Sequence, residues 1–296
     1  MNNKKIATRI SIITIISNTL LAILKFLAGL FANSGAMISD AIHTVSDVGT
    51  TIIAMVGVAI GNKEEDDSHR YGHERIECIA TLLLSFILFI TGLEIGIEGI
   101  KILIQNNYDN IKEPGLLALI AAIISILAKE VMFRYTIVGA KKIKSDALKA
   151  DAWHHRSDAL SSIGALIGII LSRAGYKFCD PIASILIAIL ICKVAIEIFF
   201  EATNKLVDKS CDEEQVKKIE KIVLKQKGVL GIDDIKTRIF GSKIYVDIEI
   251  SADGKKTLDE THMIAEEVHD RVEKEFKDIK HIMVHVNPYR GNKNEK

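Results

Sequence analysis

Asp40-Ala41-Ile42-His43-Thr44-Val45-Ser46-Asp47 recurs 111 positions later as Asp151-Ala152-Trp153-His154-His155-Arg156-Ser157-Asp158. Both copies have the form D-A-x-H-x-x-S-D, and both lie in or beside long apolar stretches. In each copy the His and the second Asp are four apart, which on a helix places them on one face. Two such helices face to face offer His43, Asp47, His154 and Asp158 to one small volume. Two imidazoles and two carboxylates make a tetrahedral donor set for a divalent metal, here inside a membrane. Ionisable groups at that depth need a partner or a ligand to offset their desolvation. The alternative is a hydrogen-bonded network of helix-end residues facing water. Asp40 and Asp151, three residues before each His, share its face and read either as ring-orienting acceptors or as helix-end charges.

Of the 296 residues, 49% are hydrophobic, yet 26% are charged, so the chain is not membrane throughout. A formal net charge of zero argues against a nucleic-acid partner. Cys78, Cys179, Cys192 and Cys211 form no C-x-x-C pair and read as free thiols. Lys4, Lys5 and Arg9 precede an apolar run that continues to about Ala32 without a convincing cleavage site, so a retained first span fits better than a signal peptide. Six stretches are long enough to cross a bilayer: 10–32, 36–60, 78–100, 114–137, 150–173 and 181–203. Lys25, Lys129, Glu130, Lys193 and Glu197 interrupt them. Lys and Arg concentrate at the N-terminus, after span two (Lys63, Arg70, Arg75) and after span four (Lys141, Lys142, Lys144, Lys149), which predicts both termini on the cytoplasmic side.

After about Leu206 the composition turns charged and soluble, giving a predicted boundary between 1–206 and 207–296. Ser210 to Glu213 reads as a capping box opening a helix to about Gln226. Strands follow over Val229–Phe240 and Lys243–Ser251, then a helix over Leu258–Phe276 and a strand over His281–Val286 stopped by Pro288. The order αββαβ predicts a two-layer, ferredoxin- or metallochaperone-like α+β domain, small enough to profit from dimerisation.

The paired helical motifs, the string Ala152 to Ser162, the six spans and the αββαβ tail together resemble the cation diffusion facilitator family over nearly the whole chain. The resemblance implies a homodimeric exporter of divalent metal from the cytosol in exchange for protons. It implies a transport site at His43, Asp47, His154 and Asp158. It also implies a cytoplasmic-side loop site at Asp66, His69 and His73, which by loop chemistry alone is a weak signal. Tail metal positions carry over to Asp233, Asp247, His262 and His285. The expected location is the cell membrane, with lipid, protons and the metal as partners and no prosthetic group. Two His and two Asp suit Zn²⁺ first, with Cd²⁺ or Co²⁺ as substitutes and Mn²⁺ and Fe²⁺ open. A membrane metalloenzyme would need a separate base motif, and His73-Glu74-Arg75-Ile76-Glu77 does not complete H-E-x-x-H. A membrane-tethered metal sensor is the remaining alternative.

Overall fold

The structure, a computed structural model, describes residues 3–31, 35–105, 116–173 and 179–289. It divides into two compact units, Met1–Thr203 and Asn204–Lys296.

The first unit is helical: α1 (Asn3–Phe31), α2 (Gly35–Gly61), α3 (Arg75–Gln105), α4 (Leu116–Ile143), α5 (Asp146–Arg173) and α6 (Cys179–Leu206). Glu113-Pro114-Gly115, which by sequence reads as a turn before the fourth span, lies outside the described residues. Four helices among the described residues are long and apolar enough to cross a membrane: α1, α2 from Asp40, α3, and α6 from Pro181. The polar groups of α5 that matter here face inward: Asp151, His154, His155 and Ser157 are buried. The inside-out pattern is plain on α1. Ile12, Ile16, Leu20 and Ile23 are exposed, whereas Ser11, Thr14, Asn18 and Lys25 are buried. A helix with apolar side chains outside and polar ones inside is stable in lipid, where the bundle interior is the only place to satisfy polar groups.

Alanines let the helices approach closely. Ala54, Ala80, Ala140, Ala147, Ala150 and Ala195 are buried in one core with Val58, Leu84, Leu88, Leu148 and Ile198. α1 packs on α2 and α4, α4 on α5, and α2 on both α3 and α5. The α4–α5 hairpin turns at Lys144, whose φ of 54° is left-handed. The Ser145 N–H donates to the Ala140 carbonyl, and the Ser145 hydroxyl accepts from the Leu148 N–H, so one short segment caps both helices.

In the second unit, α7 (Glu213–Val223), β1 (Gly231–Phe240), β2 (Lys243–Ala252), α8 (Leu258–Glu275) and β3 (Ile279–Pro288) follow the predicted order. β2 is central, antiparallel to β1 and parallel to β3. Ile244, Val246, Ile248 and Ile250 of β2 are buried with Ile219 and Val223 of α7 and Ile264, Val268 and Val272 of α8. That alternation leaves Asp247 on the open face of the sheet.

Two boundary expectations are corrected. α7 has Asp212 as its N-cap, with no side-chain cap bond. Ser210 instead shares a 2.7 Å hydrogen bond with the Thr237 hydroxyl of β1, which also accepts from the Cys211 N–H, so tertiary partners take the groups a local cap would use. The capping box belongs to α8, where Thr257 and Glu260 satisfy each other's backbone N–H. β3 also runs through Pro288 rather than stopping before it.

Candidate metal centre

α2 and α5 carry the two motif copies and touch directly: the Thr51 hydroxyl donates to Asp151 Oδ1 at 3.0 Å. On α5 the second copy is fixed from its other side. Trp153 packs edge-on against Phe133 of α4, and the Arg156 guanidinium lies 4.4 Å from the Phe133 ring centre.

This contact brings the four motif side chains together. His154 Nε2 lies 3.2 Å from Asp47 Oδ1. His43 Nε2 is 3.9 Å from Asp47 Oδ1 and 3.9 Å from Asp158 Oδ1. Asp47 and His154 are buried, Asp158 is nearly so, and the His43 ring is half exposed. His43, Asp47 and Asp158 alone gather three potential ligand atoms within 4.8 Å of one another. A cavity of about 180 Å³ opens on them, lined also by Lys25, Asp40 and Lys129.

The residues flanking the quartet have other partners than the ones their spacing suggests. Asp40 is paired with the buried Lys25 at 2.9 Å. Asp151 accepts from Thr51 and stands 3.6 Å from His155 Nε2, both residues fully buried. Neither carboxylate is found orienting His43 or His154. Lys129, read in the sequence only as an interruption of a span, reaches both carboxylates: Nζ donates to Asp47 Oδ2 at 2.6 Å and to Asp158 Oδ2 at 2.8 Å. Its signal was positional. Lys129 lies 15 residues before Lys144 and Asp158 lies 14 after it, so a tight hairpin at Lys144 sets them at one height.

The loop residues also converge. Asp66 Oδ1 is 3.4 Å from His69 Nδ1, Asp66 Oδ2 is 3.4 Å from His73 Nε2, and the two rings stand 4.5 Å apart. His73 is buried and its Nδ1 lies 3.1 Å from the Glu64 carbonyl; donating there leaves Nε2 as the nitrogen with a free lone pair, aimed at Asp66. Lys63 bonds Asp66 at 2.6 Å and, with Ser68, holds that carboxyl well below the usual carboxylate range.

In the tail, Asn287 joins Asp233, Glu249 and His285. Its amide donates to Asp233 Oδ2 and Glu249 Oε2, each at 3.1 Å, and its Oδ1 lies 3.1 Å from His285 Nε2. Glu249 was not anticipated; its register opposite His285 on the parallel strand β3 is what places it there. Asp247 sits two residues from Glu249 on the open face, beside Lys236 and Met283 in register. His262 is on α8, in the helix layer, 3.3 Å from Glu266. Among the described residues, neither is drawn into the Asn287 group.

A helical bundle with lipid-facing apolar surface, polar groups collected within it and a separate α+β unit defines a multi-pass membrane protein with an internal polar site. Residues 11–207 match the cation efflux transmembrane domain and residues 211–289 the cytoplasmic domain of cation efflux proteins. The chain belongs to the cation diffusion facilitator family of cation efflux transporters. It is 37% identical to an uncharacterized transporter of Methanocaldococcus jannaschii, over 93% of this chain and 96% of that one. It is 32% identical to the manganese efflux system protein MneP of Bacillus subtilis, over 97% of each chain. It is likewise 32% identical to the magnetosome protein MamB of a Magnetospira strain, over 90% of each. A MamM CTD structure in its cadmium form is similar at 23% identity and a TM-score of 0.26, covering 26% of this chain and 96% of that one.

Proposed function

We propose that this protein exports a divalent metal cation from the cytosol in exchange for protons, with His43, Asp47, His154 and Asp158 as the ligands that carry it. The observation supporting this reading is the meeting of two buried carboxylates and two imidazoles between α2 and α5, inside the helical unit. Imidazole has an ordinary pKa of about 6.5 and must be neutral to ligate, so protons and metal compete for the same nitrogens. Metal binds from the cytosolic side; protons displace it on the far side. Both termini face the cytoplasm of a cell-membrane homodimer, with 1–206 as transport domain and 207–296 as regulatory and dimerisation domain. Asp66, His69 and His73 form a loop site on the cytosolic side. Asp233 and His285, with Asp247 and His262 further off, belong to tail regulation.

Two imidazoles and two carboxylates favour Zn²⁺ as cargo. A second reading, Mn²⁺, is favoured by the manganese efflux relative that matches nearly the whole chain. Flux into sealed proteoliposomes, metal by metal, separates the two and distinguishes a transporter from a tethered sensor. Asp47→Ala and Asp158→Ala should each abolish flux while leaving folded dimers. Wild-type flux in either would remove the quartet from the mechanism, and uphill metal accumulation without proton movement would exclude antiport.

A further inference from the structure

The candidate transport site already contains a cation. Lys129 is 2% exposed, and its ammonium bridges Asp47 Oδ2 and Asp158 Oδ2 at 2.6 and 2.8 Å. A metal held by both carboxylates at about 2.0–2.2 Å would lie against that ammonium. Positive charges a few ångströms apart in a medium far less polarisable than water repel strongly, so metal and ammonium exclude each other there. We propose that Lys129 is an internal counter-ion: it occupies the Asp47–Asp158 pair in the unloaded transporter and is displaced by the cargo, so that loading is an ion exchange.

The proposal rests on the quartet being the transport site, and it addresses a problem that reading leaves open. Two adjacent buried carboxylates without a cation bonded to them are costly in a membrane interior, and the site passes through a metal-free state in every cycle, even when its imidazoles carry the returning protons. Lys129 bonds both carboxylates from within the protein, beside whatever protons the imidazoles carry. Counting only the carboxylates and the cation that pairs them, two carboxylates and one ammonium total −1, and two carboxylates with a divalent metal total zero once the ammonium has moved aside; each proton returning on an imidazole adds one positive charge to the unloaded site.

The surroundings allow that move. Ser125, Ser161, Ser162 and Glu94 line the same cavity, giving a long flexible side chain acceptors to turn toward. Lys25, the other buried cation there, is occupied by Asp40 and the Thr44 hydroxyl and does not share the role. A compact ammonium on a flexible stem suits reversible release; a guanidinium would clamp both carboxylates.

The test compares Lys129→Ala and Lys129→Arg with wild type in full-length protein, with His69→Ala and His73→Ala present throughout to silence the loop. Zn²⁺ and Mn²⁺ binding is measured by equilibrium dialysis, and flux in proteoliposomes. Removing the competitor in Lys129→Ala should tighten binding at least about tenfold and lower maximal flux. Lys129→Arg, which keeps the carboxylates paired if the alanine variant fails to fold, should weaken binding by about tenfold. Unchanged or weaker binding in Lys129→Ala, or unchanged or tighter binding in Lys129→Arg, overturns the proposal and leaves Lys129 a structural strut. Asp47→Ala in the same background reports on the quartet itself: if it still binds metal as wild type does, the transport-site reading fails, whatever the lysine variants show.

Discussion

Lys129 of α4 and Asp158 of α5 meet at 2.8 Å because they stand almost equally far from Lys144, the left-handed residue at the hairpin between their helices. A side chain with a Cβ is strained at that φ, and a β-branched one more so. Lys144→Gly should therefore be neutral or stabilising, and Lys144→Val should cost about 1–2 kcal/mol and reduce flux by shifting the α4–α5 register. Thermal unfolding in detergent checks the first effect and vesicle flux the second. Equal stability of the two variants would show that the turn does not set the register.

Thr51 and Asp151 tie α2 to α5 beneath the quartet. Thr51→Val keeps the shape but leaves Asp151 Oδ1 with only the longer 3.5 Å approach of Thr50. The expected cost is about 1–3 kcal/mol, as for a buried acceptor that loses its donor. Flux at saturating metal should persist, with a higher metal concentration needed for half-maximal rate. An unchanged melting temperature would show that the contact contributes nothing to helix docking.

The Asn287 group predicts an unequal response among tail residues. Asp233→Ala with His285→Ala should raise the metal concentration for half-maximal flux several-fold, roughly three to ten, and shrink metal-dependent thermal stabilisation. His262→Ala, further from that group, should change both by less. If His262→Ala matches the double variant, the regulatory ligands lie in the helix layer and not at the sheet edge.

Glu260 gives the tail a defined pH response. The Thr257 backbone N–H and hydroxyl both donate to it, the first being the larger cause, and they hold its carboxyl below the ordinary value. A depressed carboxyl contributes stability above its unfolded pKa of about 4.3 and loses that contribution as pH falls through the folded value. The first turn of α8 should thus loosen on acidification in wild type, and Glu260→Gln should flatten that dependence. Thr257→Ala should cost about 1 kcal/mol at neutral pH. Circular-dichroism melts at about pH 6 and pH 3.5 make the comparison; an identical pH slope in Glu260→Gln would assign the acid response to other carboxylates.

The elements and the pairing of motifs are legible in the order of residues alone. Hydropathy marks spans because lipid admits only segments whose backbone bonds are internal, and the four-residue spacing of His43 to Asp47 and His154 to Asp158 fixes one face on each helix. Alternation of Ile244, Val246, Ile248 and Ile250 with Tyr245, Asp247 and Glu249 likewise marks the buried face of β2 in the sequence. What faces those residues was set by packing between elements. Lys129 entered the quartet through the length of a hairpin, Asp40 went to Lys25, and Asp151 went to Thr51. Ser210 left its expected cap for Thr237, and the parallel pairing of β2 with β3 set Glu249 beside His285. Periodicity belongs to one element and is written in consecutive residues, whereas a buried charge selects its partner across elements, by reach and desolvation, after the helices and strands have packed.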